Sequence, residues 1–157
     1  MRKRWQGLLA ELSDRPDVRQ LEQFLTRLLE ARGEEMEFVV LFGSMARGNW
    51  SRGSDYDVLL GFAGEDGKRL VDRIGDLSQF AVGSIEVFPY VRSEWERMFG
   101  SFNLLLLDAL EHGVVLFDRG AFARMRGVFR QWRQEGFVIP YCDGWRIQPG
   151  THVAHGG

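Results

Sequence analysis

The sequence predicts an α/β fold of the α+β kind, a mixed β-sheet flanked by helices. Three observations carry this. Short apolar runs rich in Val, Ile and Phe, bounded by glycine, recur at 38–42, 85–90 and 114–117. Segments between them repeat their apolar residues at helical rather than alternating spacing. The 157 residues suffice for one domain with its own core and leave no room for two. A composition of 45% apolar and 27% charged residues is that of a globular chain, which excludes a disordered or collagen-like one despite 19 glycines.

Asp14, Pro16 and Asp17 form a plausible helix entry, with acid at the positive end of the dipole and proline in the first turn. Val18, Leu21, Phe24, Leu25, Leu28 and Leu29 then predict a helix over 16–31 with one face on the core. Phe38 to Phe42 is short, continuous and apolar, the pattern of a buried strand. A second strand is expected over 55–62, and a helix over 67–79 with Leu70, Val71, Ile74 and Leu77 on one face. Strands over 85–90 and 114–117 bracket a helix from Asn103 to His112, and a last helix covers about 120–134. Beyond Gly136 come Pro140, Pro149 and several glycines. The expected organisation is therefore a single domain over 1–136, with 137–157 as a C-terminal extension whose order fades toward the end.

Twenty basic against 22 acidic residues give a net charge of −2, so whole-molecule attraction to nucleic acid is not expected. A single cysteine, Cys142, cannot form an internal disulfide, which agrees with a reducing compartment. Met1 to Trp5 begins like the basic part of a signal peptide, but Glu11, Asp14 and Arg15 interrupt the apolar stretch such a peptide requires. No apolar run reaches the length of a membrane span. The expected location is the cytoplasm, with no membrane partner.

The informative segment runs from Leu41 to Asp57. A strand ending at Gly43-Ser44 and turning into a short helix aims free backbone N–H groups at whatever lies there, which suits phosphate; the same dipeptide also serves as a plain turn. Asp55 and Asp57, two apart on a strand, point to one face about 7 Å apart at the backbone. Two carboxylates so placed repel unless both are solvated or a cation lies between them. Hard oxygen ligands at that spacing suit Mg²⁺, which takes one or two carboxylates and completes its shell with water and phosphate oxygens. Glu86 interrupts the apolar strand at 85–90 and completes a three-acid cluster if that strand adjoins the Asp55–Asp57 strand; otherwise it is a solvent-facing glutamate.

Gly43-Ser44, ten intervening residues and then Asp55-x-Asp57 resembles the signature of the polymerase-β-like nucleotidyltransferases. Within that superfamily the chain resembles the minimal nucleotidyltransferases, antitoxin halves of HEPN–nucleotidyltransferase pairs. The preceding apolar strand, Ala46-Arg47-Gly48, Ser54, Glu86 to Tyr90 and Leu107 to Leu116 take part, so the likeness covers about residues 18–118. The resemblance implies that Gly43, Ser44, Arg47 and Ser54 bind the nucleotide. It implies too that Asp55, Asp57 and Glu86 hold two Mg²⁺ ions and act in catalysis. Glu86 stands where the wider superfamily more often has Asp. The implied reaction is attack of an acceptor hydroxyl on the α-phosphorus of a nucleoside triphosphate, ATP by family habit, with pyrophosphate leaving and the two cations stabilising both oxygens. The implied acceptor is a hydroxyl on a HEPN-type protein partner. The rival is a non-catalytic antitoxin that keeps the fold and binds its partner by contact alone.

Two further features have two readings each. Arg126, Arg130 and Arg133 lie along one arc of the 120–134 helix, and residues 113–157 carry a net charge of +3. This is either a solvated helix edge or a docking face for an acidic partner, with Trp132 as anchor. Trp50 either stacks on a base or shields its own loop. His152 and His155 lie in the glycine-rich tail.

Overall fold

The strand at the centre is the one the sequence makes apolar throughout. β1 (Met36–Phe42) is buried at all seven positions because it is covered on both faces and paired on both edges. In the computed structural model, which describes residues 10–148 except 52 and 82, β1 pairs antiparallel with β2 (Tyr56–Phe62) and with β4 (Val114–Asp118). β2 in turn pairs parallel with β3 (Ile85–Tyr90), giving the order β3-β2-β1-β4. The mixed sheet is the expected one.

Strand pleating divides the apolar residues between two cores. Val39, Leu41, Val58 and Leu60 face α1 (Val18–Arg32), whose Leu21, Phe24, Leu25 and Leu28 are fully buried against them. Phe38, Val40, Phe42 and Leu59 face the opposite side, covered by α4 (Arg92–Gly100), α5 (Leu104–His112) and α6 (Ala121–Gln134). Trp95, Leu107, Leu110, Phe122 and Phe129 fill that layer. A one-turn helix, α2 (Ser44–Arg47), follows β1, and α3 (Leu70–Leu77) makes the crossover that a parallel β2–β3 pair requires.

The structure departs from the sequence reading in four places. Asp17 sits at the start of α1 but in a left-handed conformation (φ 58°), and its side chain caps nothing. α3 does not bury its expected apolar face: Leu77 is buried, whereas Leu70, Val71 and Ile74 are exposed and Arg73 takes the inside position. α4 was not expected. Four of its nine residues are charged, and it is held by Trp95, whose Nε1 donates to the Phe62 carbonyl at 2.9 Å, and by Arg92, which donates to the Ala63 carbonyl at 2.7 Å and to Glu37 at 3.1 Å. Its start is marked by the Glu94 carboxylate accepting from the Val91 N–H at 2.9 Å.

The fourth departure is the hairpin β5 (Val138–Tyr141) and β6 (Gly144–Ile147), formed where fading order was expected. Val138 is fully buried, and Trp145 meets Phe129 edge-on at 5.5 Å. The stretch thus completes the second core. Pro140 is tolerated because a two-stranded sheet has edges on both sides. The glycine-rich tail with His152 and His155 lies outside the described residues.

Candidate active site

Register brings the predicted acids together. Phe42, Asp57 and Glu86 are aligned across β1, β2 and β3. Asp57 is two residues before Leu59 and Glu86 two before Phe88, so both carboxylates follow the pleat toward the face of the second core, beyond its end. Phe42 and Phe88 close that end with an edge-on ring contact at 5.1 Å. Asp55, on the same pleat, is exposed just ahead of β2, Glu86 is exposed, and Asp57 is half-buried between them.

This crowding is visible in the titration of Asp57. Burial, then the negative charges of Glu86 and Asp55, push its carboxyl from the ordinary 3.8 up to about 6, and Arg47 pulls the other way. A side-chain hydrogen bond with Glu86 adds to the rise, since it favours the protonated acid. The three acids thus form one electrostatic cluster with a deficit of positive charge.

Gly43 closes the turn on this cluster. Its φ of 75° and ψ of −159° belong to a region that is essentially reserved for glycine. A side-chain carbon at this position would also run into the Asp57 carboxylate. The turn is braced locally: the Ala46 and Arg47 N–H groups donate to the Gly43 carbonyl at 3.1 and 3.0 Å. Ser44 opens α2, half-buried, on the same turn.

Arg47, at the end of α2, is held by an ion pair with Asp108 of α5 at 3.0 Å. Asp108 was missed as a site residue, although it is a lone acid among the buried Leu106, Leu107, Ala109 and Leu110. Two further supports had no sequence signal. Arg15 Nε donates to the Met45 carbonyl at 3.1 Å, and the Tyr56 hydroxyl donates to the Pro16 carbonyl at 2.6 Å. Burial, ahead of nearby charges, raises the Tyr56 phenol to about 12.

Ser54 braces the loop ahead of Asp55, its Oγ accepting from the Ser51 N–H at 2.9 Å. Trp50 packs against the core on the α1 side, which favours its shielding role. The arginine arc does not form a free cationic face. Arg126 donates to the carbonyls of Leu110, Ala109 and Gly113 at 3.0, 3.2 and 2.8 Å, closing the C-terminal end of α5. Arg133 pairs with Glu111 at 3.0 Å, and Trp132 is buried rather than a surface anchor. The solvated-edge reading survives for Arg130 alone, which is exposed.

No three His, Cys, Asp or Glu side chains among the described residues converge tightly enough to cage an ion by themselves. The trio nevertheless fits Mg²⁺. Its donors are all hard oxygens, its charge is uncompensated, and Mg²⁺ retains waters and phosphate oxygens rather than requiring an all-protein cage.

A glycine turn on a carboxylate cluster, at the end of a mixed sheet covered by helices, defines a class of nucleotide-handling domain. The chain belongs to the nucleotidyltransferase domain family, whose family model matches residues 19–119. No curated protein matches it. Among solved structures it is similar to a protein of Sulfolobus solfataricus assigned as a nucleotidyltransferase, at 22% identity over 72% of this chain and 89% of that one, with a TM-score of 0.49. It is also similar to a chain of a toxin–antitoxin complex with AMP-PNP, at 17% identity over 72% and 86%, TM-score 0.49. A mutant of the toxin–antitoxin pair MntA–HpeT matches at 16% identity over 72% and 85%, also at 0.49. Membership of the family rests on the sequence match. Among the described residues no helix is long and apolar enough to cross a membrane.

Proposed function

We propose that this chain transfers a nucleoside monophosphate, AMP from ATP, to an acceptor hydroxyl on a protein partner, a HEPN-type toxin that it thereby neutralises. The observation that carries the transfer chemistry is the Asp55–Asp57–Glu86 cluster, with Asp57 held near 6 beside a glycine turn. A protein that only bound a partner would have no physical use for mutually repelling carboxylates at that turn. The identities of nucleotide and acceptor rest on the resemblance of the Gly43-Ser44 and Asp55-x-Asp57 pattern to the minimal nucleotidyltransferases.

Within this reading, Asp55, Asp57 and Glu86 would hold Mg²⁺, which supplies charge stabilisation at the transferred phosphate and its leaving group. Gly43 lets the triphosphate approach the backbone, and Ser44 offers a hydroxyl to a phosphate oxygen. Arg47 provides a cation beside the same phosphates, positioned by Asp108. Glu86, beside Asp57 in the register and exposed, is the group placed to accept a proton from the attacking hydroxyl. Ser54 braces the loop before Asp55, and its hydroxyl, an acceptor there, is a donor to the nucleotide.

The direct experiment incubates the chain with Mg²⁺, α-labelled nucleoside triphosphates and the product of the neighbouring gene. Label transferred to that protein from ATP, lost with Asp55→Asn or Asp57→Asn, is the expected result. Neutralisation of the partner with no label incorporated from any nucleotide would refute transfer and leave binding by contact.

A further inference from the structure

The β1–β2 ladder ends at the Phe42–Asp57 pair, and beyond it the two halves of the candidate site separate. The Gly43-Ser44 turn runs into α2, while the acids are reached only after the loop that ends at Ser54. The backbone bonds that close α2 are local, from Ala46, Arg47 and Gly48 back to Gly43 and Ser44. Phosphates held at the turn must nevertheless keep a fixed separation from whatever the acids hold. The two halves therefore require a connection other than the ladder.

That connection lies on the opposite face of the sheet. Tyr56 alternates with Asp55 and Asp57, so it points away from them into the first core. It is 1% exposed, and its hydroxyl donates to the Pro16 carbonyl at 2.6 Å. One residue earlier in the chain, Arg15 Nε donates to the Met45 carbonyl at 3.1 Å. That carbonyl belongs to a one-turn helix, which leaves its last carbonyls without intrahelical partners. The Arg15 side chain is 14% exposed, and Asp14 balances its charge at 2.6 Å. Buried Leu12 roots the same segment in the first core. A path thus runs from the acids through Tyr56 and Pro16 to Arg15, and from there to the residue after Ser44. Tyr56 also reaches the third acid, since its N–H donates to the Ser84 carbonyl at 2.8 Å, two residues before Glu86. Phenylalanine would fill the same space in the core; what the hydroxyl adds is the bond to Pro16.

We propose that Tyr56 and Arg15 are positioning residues, which by way of residues 14–17 hold the Gly43-Ser44 turn at a fixed distance from the acids. The catalytic consequence rests on the nucleotidyl-transfer reading; the tie between turn and acids does not. Neither side chain touches the substrate. Each acts through a backbone carbonyl, one at Pro16 and one at Met45.

The test pairs amide hydrogen exchange with transfer kinetics on the full chain, as wild type, Tyr56→Phe, Arg15→Met and the double variant. Tyr56→Phe removes one oxygen and Arg15→Met keeps an unbranched chain, and circular dichroism checks that each is folded. The Ala46, Arg47 and Gly48 amides should exchange roughly tenfold faster or more in every variant, with those of α5 unchanged. With labelled ATP and the neighbouring gene's product, kcat should fall roughly tenfold or more while KM for ATP changes little, because the turn still binds but is misaligned. The double variant should lose no more than the worse single one, as for two links of one path. Unaltered α2 exchange in Tyr56→Phe overturns the tie, whether or not the chain transfers nucleotide. Faster exchange with an unchanged kcat overturns the positioning role, and penalties that multiply in the double variant overturn the common path. A wild type that transfers no label defeats the transfer reading instead, and the exchange result then decides the tie by itself.

Discussion

Gly43 and Arg47 carry the clearest consequences at the scale of single residues. Gly43→Ala forces a side chain into a glycine-only conformation and against Asp57. Stability should fall by about 1–3 kcal/mol, measured by urea unfolding. Nucleotide binding should fall with it, because relief of the collision must displace the Asp57 carboxylate. Arg47→Gln tests a different link. Arg47 is the positive charge that opposes the crowding of Asp57, so its removal should raise that carboxyl further above about 6, read by NMR titration of the carboxyl carbons. On the proposed reading, nucleotide affinity should drop roughly tenfold or more, as for a lost charge-assisted hydrogen bond. An unchanged Asp57 titration in Arg47→Gln would separate the guanidinium from the cluster.

At the scale of elements, what was legible in the sequence was periodic. β3 is found at 85–90 as expected, and α1, α5 and α6 lie within two residues of their predicted bounds. These segments bury one continuous face, so their pattern repeats. The candidate site was legible for a related reason: Asp57 and Glu86 break apolar strands, Asp55 stands just ahead of one, and strand register then aligned Asp57 with Glu86. What was not legible depends on partners far away in sequence. α4 owes its place to distant partners, the Trp95 bond to the Phe62 carbonyl and the Arg92 bonds to the Ala63 carbonyl and Glu37, and α3 is oriented by an arginine whose acceptors come from four other positions. Asp108 matters because α5 passes the end of α2, which no local pattern announces. The hairpin was obscured by Pro140 and flanking glycines, and it makes a test of its own. Truncation after Gly136 removes the fully buried Val138 and the cover that Trp145 gives Phe129. That loss is worth about 3 kcal/mol by buried area, so Tm should fall by roughly 10 °C in a thermal melt. An unchanged melting temperature would mean that the second core closes without the hairpin.

The whole molecule should register the acid cluster in its dependence on pH. The folded chain holds the Asp57 proton up to about 6, whereas an unfolded carboxyl releases it near 3.8. Between those values the folded state binds more protons, so this group's contribution is fully present below about 3.8 and is lost as pH rises through 6. Asp66 acts in the opposite sense. Its pairing with Arg73, ahead of other causes, holds it at about 2, so its contribution is present above 3.8 and is lost as pH falls toward 2. Together they place the stability maximum near pH 4, with a decline between about 4 and 6 that belongs to Asp57. Asp57→Asn should remove that decline and leave the acid limb, which depends on Asp66, in place. Mg²⁺ should have a parallel effect in the wild type at pH 7, raising Tm by offsetting the cluster's charge, and little effect in Asp57→Asn. The check is a set of thermal melts from pH 3 to 8, with and without Mg²⁺. A wild-type profile that stays flat between pH 4 and 7, and is indifferent to Mg²⁺, would mean that the three carboxylates are solvated independently and do not form a common site.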